Sequence, residues 1–230
     1  MGVTRAAVAG VLALVCLMPD TPFGQPAESG SVTGHITLTR RVRGVPLPSN
    51  AYQPRSVNRR EADAGPEIKN VVVYLKDAAS RGPLQTTRSE IRQKNESFTP
   101  RVLAITRGST VDFPNRDPFF HNVFSLSGAA TFDLGRYPQG ASHSRLFNKP
   151  GLVRVYCHIH SHMSATILVL DHPYFAVPDL NGTFTLGGVP AGRYTLVGWH
   201  ERIGERPSTV QIEAGSTAVV DLALPVEDPR

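Results

Sequence analysis

Cysteine is scarce in this chain, which has two, Cys16 and Cys157, among 230 residues. Cys16 falls in a segment that we predict to be removed as an export signal, so the mature protein would carry one cysteine in an oxidising compartment. A single cysteine cannot form an internal disulfide, and a free thiol there is a liability unless it is buried or bound to a metal. Cys157 is therefore the residue that most needs an explanation.

The sequence also lacks a long hydrophobic run. The longest, residues 6–18, follows Arg5 and ends at Pro19. It is well short of the roughly 20 residues that a membrane-spanning helix needs, and it is typical of a secretory signal peptide. We predict a signal peptide over residues 1–27, a periplasmic or secreted protein, and no integral membrane span. A lipid anchor on Cys16 and a buried N-terminal helix are the alternatives.

Helical periodicity is missing as well, and the composition includes 20 glycines and 19 prolines. This turn-rich composition argues against a helical bundle or a coiled coil. The net charge is +5 and aromatic residues make up 7% of the chain. A dedicated nucleic-acid binder usually clusters its positive charge more strongly, so we expect no nucleic-acid partner.

Short β-branched and aromatic runs separated by turn residues predict an all-β protein of the sandwich type. The predicted strands cover residues 32–38, 70–76, 101–106, 110–113, 122–126, 152–157, 165–170, 182–186, 192–198, 208–212 and 218–224. Residues 40–66 are rich in arginine and proline. We interpret them as a solvated basic loop, with a partner-docking patch as the alternative, and residues 80–87 as a linker.

The segment YCHIHSHM, residues 156–163, brings one thiol, three imidazoles and one thioether together between two predicted strands. The spacing Cys-x2-His-x2-Met places Cys157, His160 and Met163 around a tight loop that can wrap one ion. His121, which enters a strand just after a loop, is the best candidate for a further imidazole. Two histidines, a cysteine and a weak axial methionine form the blue-copper ligand set, whereas structural zinc sites usually hold more cysteines.

Further motifs accompany these candidate ligands. They are FTP at 98–100, RGSTVDFPNRD at 107–117, HNV at 121–123, PG at 150–151 and YC at 156–157. Together with the ligand loop they resemble the cupredoxins, the plastocyanin and amicyanin group, including the plastocyanin-like proteins labelled "methylamine utilization". The resemblance implies a Greek-key cupredoxin β-sandwich over residues 88–171.

The same resemblance implies the roles of individual residues. One copper ion, type 1-like, would be held by His121, Cys157, His160 and Met163. Asn122 would hydrogen-bond across to the ligand loop and hold it in place. The ring of His160 would reach solvent and serve as the electron exit.

Other side chains near these motifs have more than one interpretation. His162 is an alternative to His160 as an imidazole ligand. His158 directly follows Cys157, as in the His-Cys-His triplet of multicopper oxidases, but Tyr156 stands in place of the first histidine, so His158 is a lower-ranking metal candidate. The apolar residues Pro118, Phe119, Phe120 and Phe124 belong either to a sandwich core or to the rim of a docking surface.

The flanks carry a second resemblance. Residues 28–87, which include the basic loop, and residues 172–230 resemble the two halves of a carboxypeptidase regulatory-like, or transthyretin-like, β-sandwich. The motifs lie at 30–38, 68–76 and 179–200. We therefore predict a small discontinuous sandwich with the cupredoxin unit inserted in it, which is physically reasonable because the ends of a sandwich loop lie close together. No H-x-x-E zinc pair accompanies it, so no peptidase activity is implied.

These inferences converge on a periplasmic or secreted copper protein that carries electrons between redox partners, such as a dehydrogenase and a c-type cytochrome. We expect no enzyme activity, because saturated ligation leaves no open position on the metal for a substrate. The alternatives are a copper chaperone or storage protein, a small copper enzyme with an open metal position, and an adhesion module that has lost its metal.

Overall fold

β-Strands dominate the computed structural model, which describes residue 2 and residues 29–39, 66–76 and 78–226. The predicted signal peptide, apart from residue 2, and residues 40–65 of the predicted basic loop lie outside the described residues. One short 3-10 helix, Glu67–Asn70, is the helical element of the described part. No helix among the described residues is long and apolar enough to cross a bilayer. The prediction of an all-β protein is confirmed.

The strands are numbered in chain order. They are β1 (Ser29–Leu38), β2 (Val71–Leu75), β3 (Arg88–Glu90), β4 (Arg92–Lys94), β5 (Ser97–Thr99), β6 (Val102–Thr106), β7 (Ser109–Pro114), β8 (His121–Ser127), β9 (Ala130–Tyr137), β10 (Ser142–Phe147), β11 (Gly151–Tyr156), β12 (Ser164–Leu170), β13 (Phe175–Ala176), β14 (Thr183–Pro190), β15 (Gly192–His200), β16 (Gly204–Ile212), β17 (Thr217–Val219) and β18 (Leu222–Leu224).

The first two strands pair with strands from the last third of the described chain. One sheet has the order β14-β1-β17, with β18 also on β1, and another has the order β13-β2-β15-β16. Between these sheets lies an apolar core that includes Val32, Ile36, Leu196 and Ile212. The alternating burial of β1 follows from its alternating sequence, because successive side chains of a strand point to opposite faces. We call this unit the flanking sandwich.

Strands β3 to β12 pair among themselves. Their sheets have the orders β10-β7-β3 and β6-β12-β11-β8-β9, and β4 and β5 form a separate hairpin. The core between the sheets includes Val111, Phe113, Val153 and Ile167. We call this unit the central sandwich. The predicted domain limits at residues 28, 88 and 172 stay a prediction, with which these pairings are compatible.

The two sandwiches share a third apolar cluster, because some strands have two buried faces. In β2, Val71, Val73 and Leu75 face the core of the flanking sandwich, while Val72 and Tyr74 face the central sandwich. This explains why every residue of β2 is buried and why its sequence is uniformly apolar. The cluster, which we call the interface core, consists of Val72, Tyr74, Val102, Leu168, Val197 and Trp199.

The structure departs from the predicted strands in several places. The short strands β3, β4, β5 and β13 were not predicted. Residues 130–137 and 142–147 form β9 and β10, which the sequence analysis did not predict. Strand β10 is mostly exposed and polar, so it lacks the apolar alternation that reveals a half-buried strand. Strand β9 does alternate, with Ala130, Phe132 and Leu134 against the core, and this signal in the sequence was missed.

The predicted strand at 218–224 is two strands, β17 and β18, both parallel to β1. They are separated where the carboxylate of Asp221, rather than a backbone carbonyl, accepts a hydrogen bond from the amide of His35 at 2.8 Å.

Candidate metal centre

The candidate ligands lie at one end of the central sandwich. His121 is the first residue of β8, and Cys157 directly follows β11. Strands β8 and β11 are antiparallel neighbours, with Phe124 opposite Tyr156. The start of one strand therefore lies beside the end of the other, and His121 meets Cys157 although 36 positions separate them.

Three ligand atoms converge at this end. The Cys157 sulfur lies 3.9 Å from Nδ1 of His121 and 3.8 Å from Nδ1 of His160, and the two nitrogens are 3.1 Å apart. Bonds to an ion such as zinc measure about 2.0–2.1 Å for imidazole nitrogen and about 2.3 Å for thiolate sulfur. Because these separations are all shorter than the sum of two such bonds, one ion between the three atoms can contact all of them. The three residues form a possible metal site.

Burial differs among the four predicted ligands. His121 and Cys157 are 0% and 3% exposed, whereas His160 is partly exposed. Met163 is 1% exposed and belongs to the same apolar core as Cys157, and its amide donates a hydrogen bond to the carbonyl of His160 at 3.0 Å. The site is therefore closed toward the sandwich core, and His160 stands on its solvent side.

The Cys157 thiol ionises unusually easily for a buried group. Burial alone would raise its pKa, but a hydrogen bond with His121 and several backbone hydrogen bonds outweigh this effect and lower the pKa of Cys157 to about 6. In the same pair, burial opposes protonation of His121, but the contacts with Cys157 and Asp117 raise the pKa of the imidazole. The site therefore favours the thiolate, the form that binds metals.

Asn122 connects strand β8 to the start of the ligand loop. Its side-chain oxygen accepts a hydrogen bond from the amide of His158 at 3.1 Å, and its side-chain nitrogen donates to Asp133 at 2.6 Å. Asn122 is 2% exposed. Since both ends of the amide are bonded, the backbone just after Cys157 is held against the neighbouring strand.

The two alternative ligands lie outside the three-atom cluster. The ring of His158 stacks on Phe124, with centroids 3.7 Å apart, and its Nε2 is 3.7 Å from the Asp133 carboxylate. Nε2 of His162 is 3.3 Å from the Glu96 carboxylate. Both histidine side chains are more than half exposed, at 51% and 59%. Neither joins the group of three atoms described above.

Of the four apolar residues predicted to belong to a core or a docking rim, Pro118, Phe119 and Phe120 are exposed and Phe124 is partly buried. Phe119 and Phe120 are 38% and 55% exposed, and Ile159 of the ligand loop, which was not among the four, is 40% exposed. The Phe119 ring lies 5.2 Å from the ring of His121 and 5.5 Å from that of His160. Phe119 therefore covers the candidate ligands from the solvent side.

Asp117 is a site residue that the sequence analysis missed. Its carboxylate lies 2.7 Å from Nε2 of His121, on the side of the ring opposite the cluster, and the Asp117 side chain is 5% exposed. It also accepts backbone hydrogen bonds from Asn95 and Glu96. These bonds, together with that from His121, outweigh burial and lower the pKa of the Asp117 carboxyl. The spacing Asp-x3-His is its signal in the sequence, but a carboxylate four residues before a histidine indicates little on its own.

Comparisons with known proteins match only part of the chain. No protein-family profile and no curated protein matches this sequence. Among solved structures, the copper-containing nitrite reductase NirK from Thermus scotoductus is similar at 30% identity, with a TM-score of 0.34, over 41% of this chain and 24% of that one. A purple cupredoxin from Nitrosopumilus maritimus is similar at 21% identity and TM-score 0.33, over 36% of this chain and 99% of that one. A reduced amicyanin variant is similar at 21% identity and TM-score 0.34, over 35% and 80%.

Proposed function

We propose that this chain is a mononuclear copper protein that carries electrons between two redox partners. The observation that carries the proposal is the convergence of two imidazole Nδ1 atoms and one thiol sulfur within 3.9 Å of one another. The lowered pKa of Cys157 supports it, because the thiolate is the ligand form. The cluster lies at the end of a β-sandwich, where strand pairing holds two of the ligands.

The donor set fits copper. His121, Cys157 and His160 would hold the ion, with Met163 as the predicted fourth ligand. Soft sulfur ligands select copper over magnesium, calcium or manganese, and two histidines with one cysteine are the equatorial ligands of electron-transfer copper sites. When bound, such an ion supplies a one-electron redox couple.

The position of each residue supports electron transfer rather than release of the ion. His121 and Cys157 are almost fully buried at the ends of paired strands, and Asn122 ties the ligand loop to β8. A site held in this way changes little when the charge of its ion changes. His160 is partly exposed and is the proposed electron exit, beside the exposed ring of Phe119.

We also propose that the protein is exported to the periplasm or the cell exterior, because residues 1–27 resemble a signal peptide. The proposed partners are a c-type cytochrome or a dehydrogenase that docks near His160. The expected absence of enzyme activity belongs to the same proposal, because a saturated ligand set leaves no position for a substrate.

The proposal is tested by adding one equivalent of Cu(II) to the purified protein and recording visible absorption and EPR spectra. We expect an intense thiolate-to-copper band and a compressed hyperfine splitting. Cys157→Ser should abolish the band and His121→Ala should weaken or shift it, because each removes one of the converging atoms. His35→Ala, an exposed histidine on β1 of the flanking sandwich, is the matched control and should leave the spectrum unchanged.

A pale spectrum with ordinary hyperfine splitting would contradict the proposal, since it would show that the thiolate does not bind Cu(II). So would a full charge-transfer band in Cys157→Ser. Retention of the band in His121→Ala at wild-type position and strength would remove His121 from the ligand set.

A further inference from the structure

A buried carboxylate contacts the candidate site from behind. Asp117, on the loop between β7 and β8, is 4% exposed, and its Oδ2 lies 2.7 Å from Nε2 of His121. The carboxylate also accepts hydrogen bonds from the backbone amides of Asn95 and Glu96. A buried anion of this kind is costly unless it is fully hydrogen-bonded, so its position calls for a function.

We propose, on the basis of the copper site proposed above, that Asp117 is a positioning residue that orients His121 and strengthens it as a ligand for Cu(II). Asp117 lies outside the set of four proposed ligands. The β4–β5 hairpin takes part as well, because its turn holds the carboxylate.

The contact settles which nitrogen of His121 is available for a metal. A carboxylate only accepts hydrogen bonds, so Nε2 of His121 must carry the proton that it donates to Asp117. In the neutral ring the lone pair then lies on Nδ1, and that atom faces the Cys157 sulfur and Nδ1 of His160. The hydrogen bond thus selects the tautomer that binds at the cluster and holds the ring plane in position.

A strained turn presents two amides to the same carboxylate. Asn95 and Glu96 are the two residues between β4 and β5, and both have positive φ angles, 54° and 53°. The amide of Asn95 donates to Oδ1 of Asp117 at 2.6 Å and that of Glu96 donates to Oδ2 at 3.0 Å. Two consecutive residues with positive φ are the geometry of a type I′ hairpin turn. The turn therefore forms a small anion-binding nest, in which the anion is an internal side chain.

The backbone of Asp117 is held from the other direction. Its amide donates to the side-chain oxygen of Asn115 at 2.9 Å, and the Asn115 side-chain nitrogen donates to the carbonyls of Phe119 and Tyr137 at 2.8 and 3.1 Å. Asn115 is fully buried. Since both the main chain and the side chain of Asp117 are bonded, the carboxylate cannot turn away from His121 without breaking several hydrogen bonds.

A fixed negative charge beside a ligand favours the more positively charged ion. Carboxylates that hydrogen-bond metal-binding histidines raise the basicity of the ligand, and their loss typically costs about 10–100-fold in metal affinity. We therefore expect Asp117→Asn to lower the affinity for Cu(II) by about 10–100-fold. If the affinity for Cu(I) is unchanged, each tenfold loss raises the reduction potential by about 59 mV.

The test compares Asp117→Asn with wild type and with Asp171→Asn. Asp171 pairs with Arg107 on the surface, its side chain is 54% exposed, and its substitution removes the same charge without touching the site. Cu(II) affinity is measured by chelator competition and the potential by redox titration. The proposal requires the weaker binding and the higher potential in Asp117→Asn alone. Equal values in the two variants would overturn it.

A second measurement needs no variant. In Cu(I)-loaded wild-type protein, the Hε2 proton of His121 should give a downfield NMR signal that exchanges slowly with water, because it is buried in a hydrogen bond to a carboxylate. A rapidly exchanging proton would overturn the proposal even if Asp117→Asn failed to fold. Failure of the proposed function is a different result: the wild-type protein with Cu(II) would then show no thiolate-to-copper band.

Discussion

The Cys157 thiol is buried, and burial by itself would keep it protonated. Its neighbours reverse that tendency, since hydrogen bonds from His121 and from the backbone stabilise the negative charge and bring the pKa of Cys157 to about 6. An ordinary cysteine has a pKa of about 8.5. At neutral pH the metal-free protein therefore favours the Cys157 thiolate, the form that binds a metal ion.

We predict that ultraviolet absorbance of the thiolate in metal-free protein titrates with a midpoint near pH 6. The Cys157→Ser variant supplies the baseline. Because the unfolded chain holds its thiol proton up to about pH 8.5, it binds more protons than the folded chain above pH 6, and thiolate stabilisation grows with pH over that window. This contribution is lost as pH falls through about 6. A midpoint near the ordinary value would show that the neighbouring hydrogen bonds do not form.

At the level of elements, β1 shows how closely strands can approach where a side chain is missing. It pairs with β14 on one side and with β17 and β18 on the other. At Gly34 an added Cβ would lie 1.9 Å from the carbonyl oxygen of Val220. That oxygen is a backbone atom, so it cannot move aside as the end of a flexible side chain could. Glycine is therefore required at position 34 because of close packing, and its φ angle is one that other residues also adopt.

We predict that Gly34→Ala lowers the free energy of unfolding of the protein. The loss should be at least as large as the usual cost of overpacking a core, which is about 1–3 kcal/mol. Gly187→Ala on the adjacent strand β14 is the matched control, because its Cβ would meet no atom within 4 Å. That change should alter stability by less than about 1 kcal/mol. Both values are measured by denaturant unfolding, and equal effects of the two substitutions would show that β1 and the chain at Val220 are not in close contact.

At the level of the whole molecule, the apolar interface core joins the two sandwiches, and a buried charged cluster of the flanking sandwich lies near it. The interface core buries Trp199 and Tyr74 to 6% and 7% exposure. Beside it, Glu67 of the 3-10 helix lies 2.8 Å from Nε2 of His200, and both side chains are buried. Arg202 also contacts this carboxylate. Burial opposes ionisation of Glu67, but the bond to His200 and the nearby arginines outweigh it and lower its pKa.

We predict that Glu67→Gln destabilises the protein by about 3–5 kcal/mol at neutral pH, because it removes one partner of a buried charged group. Glu90→Gln is the control. It breaks an exposed pair with Arg92 and should cost about 0–1 kcal/mol. Since the pKa of Glu67 is lowered, its contribution is present at neutral pH and is lost as pH falls through that lowered value. Equal losses in the two variants, measured by denaturant unfolding, would refute a stabilising role for the buried cluster.

Local signals in the chain were enough for part of the site and most of the strands. Cys157, His160 and Met163 are three residues apart, so a single loop brings them together whatever the rest of the fold does. The β-branched runs that become β2, β11 and β12 are buried on at least one face, and their composition reflects that burial. An all-β fold and a candidate sulfur–imidazole site could therefore be predicted without coordinates.

Tertiary structure decided the features that depend on distant neighbours. The polar strand β10 forms because it pairs with the edge of β7, and nothing in its own sequence requires it. The carboxylate of Asp117 is held against His121 by two amides of the turn at Asn95 and Glu96, a segment distant in sequence. The physical reason is the same in each case. Hydrogen bonds and close packing between segments far apart in sequence leave no periodic pattern, whereas burial of apolar side chains along one strand or loop does.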